Sequence, residues 1–116
     1  MEARGNTMAL NTRALGNVSV LDLQGRFDAH IAPAVIEWYG RLPTAQVVVN
    51  LAGVTFMDSS ALAALTGGMK RCRQRGGDMR LYALQQPVQV IFELTRMYRA
   101  FEIFATEAEA VASFTR

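Results

Sequence analysis

Histidine and cysteine are nearly missing: His30 and Cys72 are the only two such residues in a chain of 116. A lone cysteine excludes an internal disulfide and fits a reducing compartment, so a cytoplasmic location is expected. Its place among helix-forming residues predicts a small, half-buried side chain. One histidine and one cysteine far apart leave no metal-ligand spacing, so no metal is expected. The stretch TGGMKRC lacks the first glycine and the Ser/Thr of a P-loop, which removes the nucleotide reading and leaves no cofactor expected. No segment nears the ~20 apolar residues of a membrane span, and MEARGNTMALNTRALG lacks the apolar run of a signal peptide, so no membrane insertion is expected. Charge of one sign is also scarce. A formal net charge of +2 gives no case for direct nucleic-acid binding.

What is present is an ordinary globular balance, with 51% apolar and 19% charged residues, in a length that suits one core. VSVLDL reads as a strand ending at Gly25, though its two faces are not cleanly sorted. GRFDAHIAPAVIEWYGRL carries Ile31, Val35, Trp38 and Leu42 at helical spacing, with Pro33 tolerable near the helix start. AQVVVNL is a continuous β-branched run, the mark of a central strand covered on both faces. Leu62, Leu65, Met69 and Cys72 then form one helical stripe, stopped by Gly76-Gly77. MRLYAL, PVQVIFELTRM, AFEIF and TEAEAVASF continue as strand, helix, strand and helix. This alternation predicts an α/β fold, one sheet of about four to five strands with helices packed against it. Residues 1–14 are read as a flexible N-terminal arm and residues 15–116 as a single domain.

The chemistry concentrates in TFMDSSALAAL, where Asp58, Ser59 and Ser60 stand between a strand-like and a helix-like run. In α/β sheets functional groups gather at the carboxyl ends of strands, where the next helix offers free N–H groups and the positive end of its dipole. One of the three side chains suffices as a helix cap, and with Leu62 three residues after Ser59 there is no capping box. The second hydroxyl is therefore left for another use. A serine nucleophile would need a base, and His30 is the only histidine; the Gly-x-Ser-x-Gly elbow is absent as well.

Over nearly its whole length the sequence resembles the STAS domain of bacterial anti-sigma factor antagonists. LQGRFDAHIAPAV is similar to that family's entry into the first helix, and VVVNLAGVTFMDSSALAAL to its strand and phosphorylation-site junction. KRCRQRGGDMRLYAL and VIFELTRMYRAFEIFATEAEAVASF extend the likeness. The resemblance implies a STAS-type mixed sheet and a non-enzymatic, partner-switching regulator of transcription. Unmodified, such a protein binds an anti-sigma factor serine kinase; phosphorylated on one serine, here Ser59, it lets go, and a PP2C-type phosphatase restores it. Asp28, Asp58 and Ser60 are implied as members of the phosphosite pocket. Met57, Ala61, Lys70 and Arg71 are expected on the partner-binding surface, Ala61 standing where the family usually has glycine. Arg75 is read as solvated. Two other readings remain at this point: an accessory STAS subunit of a membrane transport complex of the ABC lipid-transport kind, and a small hydrolase built on Ser59 and His30.

Overall fold

The computed structural model describes residues 9–115. Its elements run β1 (Ala9–Leu15), β2 (Val18–Phe27), α1 (Ala32–Gly40), β3 (Gln46–Met57), α2 (Ser59–Gln74), β4 (Asp78–Tyr82), α3 (Gln86–Leu94), a 3-10 turn (Met97–Arg99), β5 (Ile103–Phe104) and α4 (Glu107–Ala112). The five strands form one sheet in sequence order. β1 is antiparallel to β2 and the later neighbours are parallel, so the sheet is mixed, with β3 at its centre. Parallel neighbours need crossover connections, and α1, α2 and α3 supply them.

The β-branched run of β3 is buried on both sides because its faces meet different layers. Val47, Val49 and Leu51 point into the main core with Leu21, Leu23, Phe27, Leu65, Met69 and Phe92, under α1, α2 and α3. Val48 faces the other way and packs with Val18, Val20, Tyr82 and Ala110 beneath α4. The same division explains the unsorted look of VSVLDL: Val18, Val20, Leu21 and Leu23 are all buried, on alternate faces. Register shifts between Asp22 and Gln24 and between Gly25 and Arg26 bring the ends of β2 and β3 together as Phe27 opposite Met57. Such bulges re-aim a strand end.

The expected flexible arm is corrected over its second half. Residues 9–14 belong to β1, which pairs with β2 from Ala9↔Gln24 to Leu15↔Val18. Leu10 and Leu15 gave no clean alternation, so periodicity missed the strand; what holds it is polar. Arg13 reaches across to Asp22, its Nε donating at 2.6 Å and its Nη2 at 2.9 Å, and also pairs with Glu107 of α4. Asn50 and Asn11 donate to the same Asp22 carboxylate at 2.8 and 3.2 Å. Residues 1–8 of the expected arm lie outside the described residues.

This network makes a prediction about acid. The Arg13 guanidinium, helped by Asn50 and Asn11, holds Asp22 well below the ordinary carboxylate value of 3.8, at about 2, and Glu107 is lowered by Arg13 as well. A carboxylate lowered on folding stabilises the fold above its unfolded value, and that contribution disappears as the pH falls through the folded one. Asp22 should therefore contribute about 1 kcal/mol near neutrality, after discount for solvent screening, and lose it between about pH 4 and pH 2. Urea unfolding across that range should show a steeper loss for the native chain than for Asp22→Asn.

Candidate functional site

The site forms where β2 and β3 end side by side. The Asp58 N–H donates to the Phe27 carbonyl at 3.3 Å, joining the two strand ends, and α2 begins at the next residue. Asp58 is the helix cap: extended at φ −112° and ψ −174°, it accepts from the Ala61 N–H on Oδ1 at 3.0 Å. Its other oxygen, Oδ2, accepts from the Ala29 N–H at 3.1 Å, tying the β2–α1 loop to the mouth of α2. One carboxylate thus performs two tasks, and neither serine is needed as the cap.

Asp28 organises the facing loop. Its carbonyl accepts from the Ile31 and Ala32 N–H groups at 3.1 and 2.9 Å, and its Oδ1 from the His30 N–H at 3.0 Å. Its second oxygen lies 3.9 Å from Arg26 Nε, and the Arg26 guanidinium stacks over the Phe56 ring, 4.0 Å from the centroid. Arg26, Ala29 and Phe56 were not singled out in the sequence. Arg26 and Asp28 stand two residues apart, but only the fold shows that a backbone N–H of the same loop closes on Asp58.

Ser59 and Ser60 open α2. Ser59 is exposed and Ser60 half-exposed, and among the described residues neither hydroxyl has a hydrogen-bond partner. The backbone N–H groups of these two residues lie in the first turn, where a helix has no internal acceptor for them. Ala61 and Leu62, by contrast, donate to the Asp58 side chain and carbonyl. Ser59 is therefore a reachable hydroxyl at the positive end of a 16-residue helix, directly after the capping Asp58.

The structure corrects two expected partner contacts. Met57 is 2% exposed and Ala61 0%, and both side chains belong to the main core. Met57 ends a strand with its side chain turned under the helices, and the Ala61 methyl points inward in the first turn of α2. Replacing a glycine there fills the core and leaves the outer surface unchanged. Lys70 and Arg71 are exposed, as is Arg75. At 100° per residue Lys70 returns to the face of Ser59, about 16 Å along the axis, and Arg71 to the face of Ser60. Between them run the exposed Ala63 and half-exposed Thr66, while Gly67 lies against the Tyr39 hydroxyl of α1. α2 so offers an acidic, hydroxyl-bearing end, a low-relief middle and a basic end.

The hydrolase arrangement finds no triad geometry. His30 is exposed, its backbone N–H is held by Asp28, and the Asp58 carboxylate is committed to Ala61 and Ala29 instead of orienting an imidazole. Trp38 packs against the core and donates its indole N–H to Thr12 Oγ1 at 2.7 Å. Cys72 is buried, which raises its thiol pKa. No cluster of three or more His, Cys, Asp or Glu among the described residues could hold a metal ion. None of their helices is long and apolar enough to cross a membrane.

A five-stranded mixed sheet with helices packed against it, and an exposed serine at the mouth of the helix after the central strand, define a class of small α/β domain. The family model described as the STAS domain matches residues 9–110, and the chain belongs to that family. The anti-sigma-B factor antagonist of Listeria monocytogenes is 32% identical over 88 residues, 73% of this chain and 77% of its own length. Among solved structures, an anti-sigma factor antagonist from Mycobacterium paratuberculosis superposes with a TM-score of 0.86 at 19% identity, covering 99% of this chain and 100% of its own. The Bacillus cell fate determinant SpoIIAA in its phosphorylated form superposes with a TM-score of 0.69 at 21% identity, covering 93% of this chain and 100% of its own. The match begins at Ala9, so it takes in β1 as well as the segments quoted from the sequence as far as Ala110.

Proposed function

We propose that this protein is an anti-sigma factor antagonist that binds an anti-sigma factor serine kinase through the mouth and outer face of α2 and is released when Ser59 is phosphorylated. In this reading the domain is a kinase substrate, not a catalyst, works in the cytoplasm, and is reset by a PP2C-type phosphatase. The observation that carries it is the division of labour at the junction: Asp58 caps the helix, so Ser59 is exposed and unengaged where a phosphate meets free N–H groups and the helix dipole. The kinship with the Listeria antagonist supports the choice of partner.

The same geometry supports release. A phosphate adds about 1.5 to 2 negative charges beside Asp58 and the Asp28 loop, so a docked partner would face concentrated like charge. Ser60, on the next position and half-exposed, shares the pocket without being the target, since it is turned from the Ser59 face toward that of Arg71. Incubation with the cognate kinase and ATP, followed by mass spectrometry, should show a single added phosphate on Ser59, absent in Ser59→Ala and retained in Ser60→Ala. Phosphate on Ser60 in the native chain, or none on either serine together with stable copurification with a transport ATPase, would overturn the reading.

A further inference from the structure

The sheet ends in two unlike edges. β5 has two residues, whereas β1 has seven and, among the described residues, pairs only with β2. The β1–β2 turn is a two-residue one, Gly16-Asn17, with Gly16 at φ +61° in its first central position, so Leu15 and Val18 close the hairpin as a hydrogen-bonded pair. Bonded and non-bonded pairs alternate in an antiparallel ladder. Arg13 and Asn11 therefore bond inward to β2, and Leu10, Thr12 and Ala14 turn their N–H and C=O groups outward.

An exposed edge of this length is a template for another strand, and proteins commonly guard it with proline, a bulge, or free charge. β1 has no proline, and its register with β2 is unbroken. Its one charged side chain, Arg13, is neutralised by Asp22 and Glu107 on the α4 face. Leu10 and Leu15 remain 36% and 38% exposed at its two ends.

We infer that this edge pairs with the same edge of a second copy, antiparallel about Thr12, so that two five-stranded sheets join into one. The residues are complementary to themselves in that register. Thr12 faces Thr12 of the second copy, Leu10 faces Ala14, and Asn11 faces Arg13, so no like charges oppose and every outward N–H and C=O finds a partner. Trp38 donates to Thr12 Oγ1, which leaves the Thr12 hydroxyl proton free to cross the axis to its counterpart. The contact is the same patch on both copies and closes at two, since the remaining β5 edges are too short to propagate a sheet. α2 contacts β3 and β4 rather than β1, so both copies of Ser59 stay accessible.

Sedimentation of the full chain should show the mean mass rising toward twice the monomer between about 10 μM and about 1 mM. Thr12→Pro removes an outward N–H that β2 does not use, and Thr12→Lys sets two cations face to face; each should weaken association by about tenfold or more. Thr12→Val, which loses only the Trp38 contact and the hydroxyl pair, should still dimerise. Should Thr12→Pro not fold, Thr12→Lys decides the matter. A monomer throughout the range, or dimerisation unaltered in Thr12→Lys, would overturn the inference.

Discussion

Ser59→Asp is expected to bind the cognate kinase about a hundredfold more weakly than the native chain, by titration calorimetry, while circular dichroism and melting temperature stay unchanged. The two halves of this result have separate causes. Stability should survive because the cap is Asp58, whose Oδ1 and Oδ2 hold Ala61 and Ala29; a new carboxylate one residue later lies in the first turn of α2, where negative charge is favoured by up to about 1 kcal/mol. Binding should suffer because the new charge is added at the exposed mouth of α2, directly after the Asp58 carboxylate. Like-charge juxtaposition in an interface costs several kcal/mol, and each ~1.4 kcal/mol is tenfold in affinity, so the interface penalty exceeds any gain in helix stability. Ser59→Ala should bind well and resist release by kinase and ATP. Equal binding by the Asp and Ala variants, with both folded, would remove the electrostatic mechanism.

The order of elements after Gly16 was legible because each carries a local signature. Pro33 falls at the start of α1 and Pro87 at the start of α3, and Thr106 caps α4 with Glu109 returning the bond in a capping box. β3 was legible as central because three consecutive valines fit no half-exposed surface. β1 was not legible. ALNTRAL lacks a clean apolar alternation; the local sign it did carry is the two-residue Gly16-Asn17 turn that pairs it with β2, whereas the Arg13 contact with Glu107, 94 residues away, lies in no window of neighbours.

At the candidate site the sequence located the junction and the acids but not their division of labour. Asp, Ser and Ser are all good caps, so composition alone could not say that Asp58 would take the role and leave Ser59 open. Met57 and Ala61 were misplaced for a related reason. Adjacency to an exposed residue says little about exposure at a strand-to-helix turn, where successive side chains point in different directions, and both of these turn into the core.

Gly77→Ala is expected to lower stability by roughly 3 kcal/mol and the melting temperature by roughly 10 °C, whereas Gly76→Ala should cost only about 1 kcal/mol. Both glycines end α2, where the Gly76 N–H donates to the Arg73 carbonyl at 3.1 Å and the Gly77 N–H to Cys72 at 2.9 Å, the two bonds of a Schellman motif. Their constraints differ. Gly76 lies at φ +86° with nothing within 4 Å of where a Cβ would stand, so alanine there meets only the left-handed backbone penalty. At Gly77 a Cβ would run into the Ala45 carbonyl oxygen and fall 2.5 Å from its carbon, and backbone cannot swing aside as a side chain can. Relief would have to separate the start of β4 from the end of the α1–β3 connection, where the Asp78 N–H donates to Ala45 at 3.0 Å. Any such shift also disturbs the buried Asp78 carboxylate, which accepts from the Met79 N–H and from Arg73 and Arg80 at 2.9, 2.9 and 3.1 Å. A buried charge that loses its partners is costly, which places Gly77→Ala at the upper end of overpacking effects. Calorimetric melting of the two variants side by side checks the argument, and a larger loss in Gly76→Ala than in Gly77→Ala would show that turn conformation, not helix-to-strand packing, governs this junction.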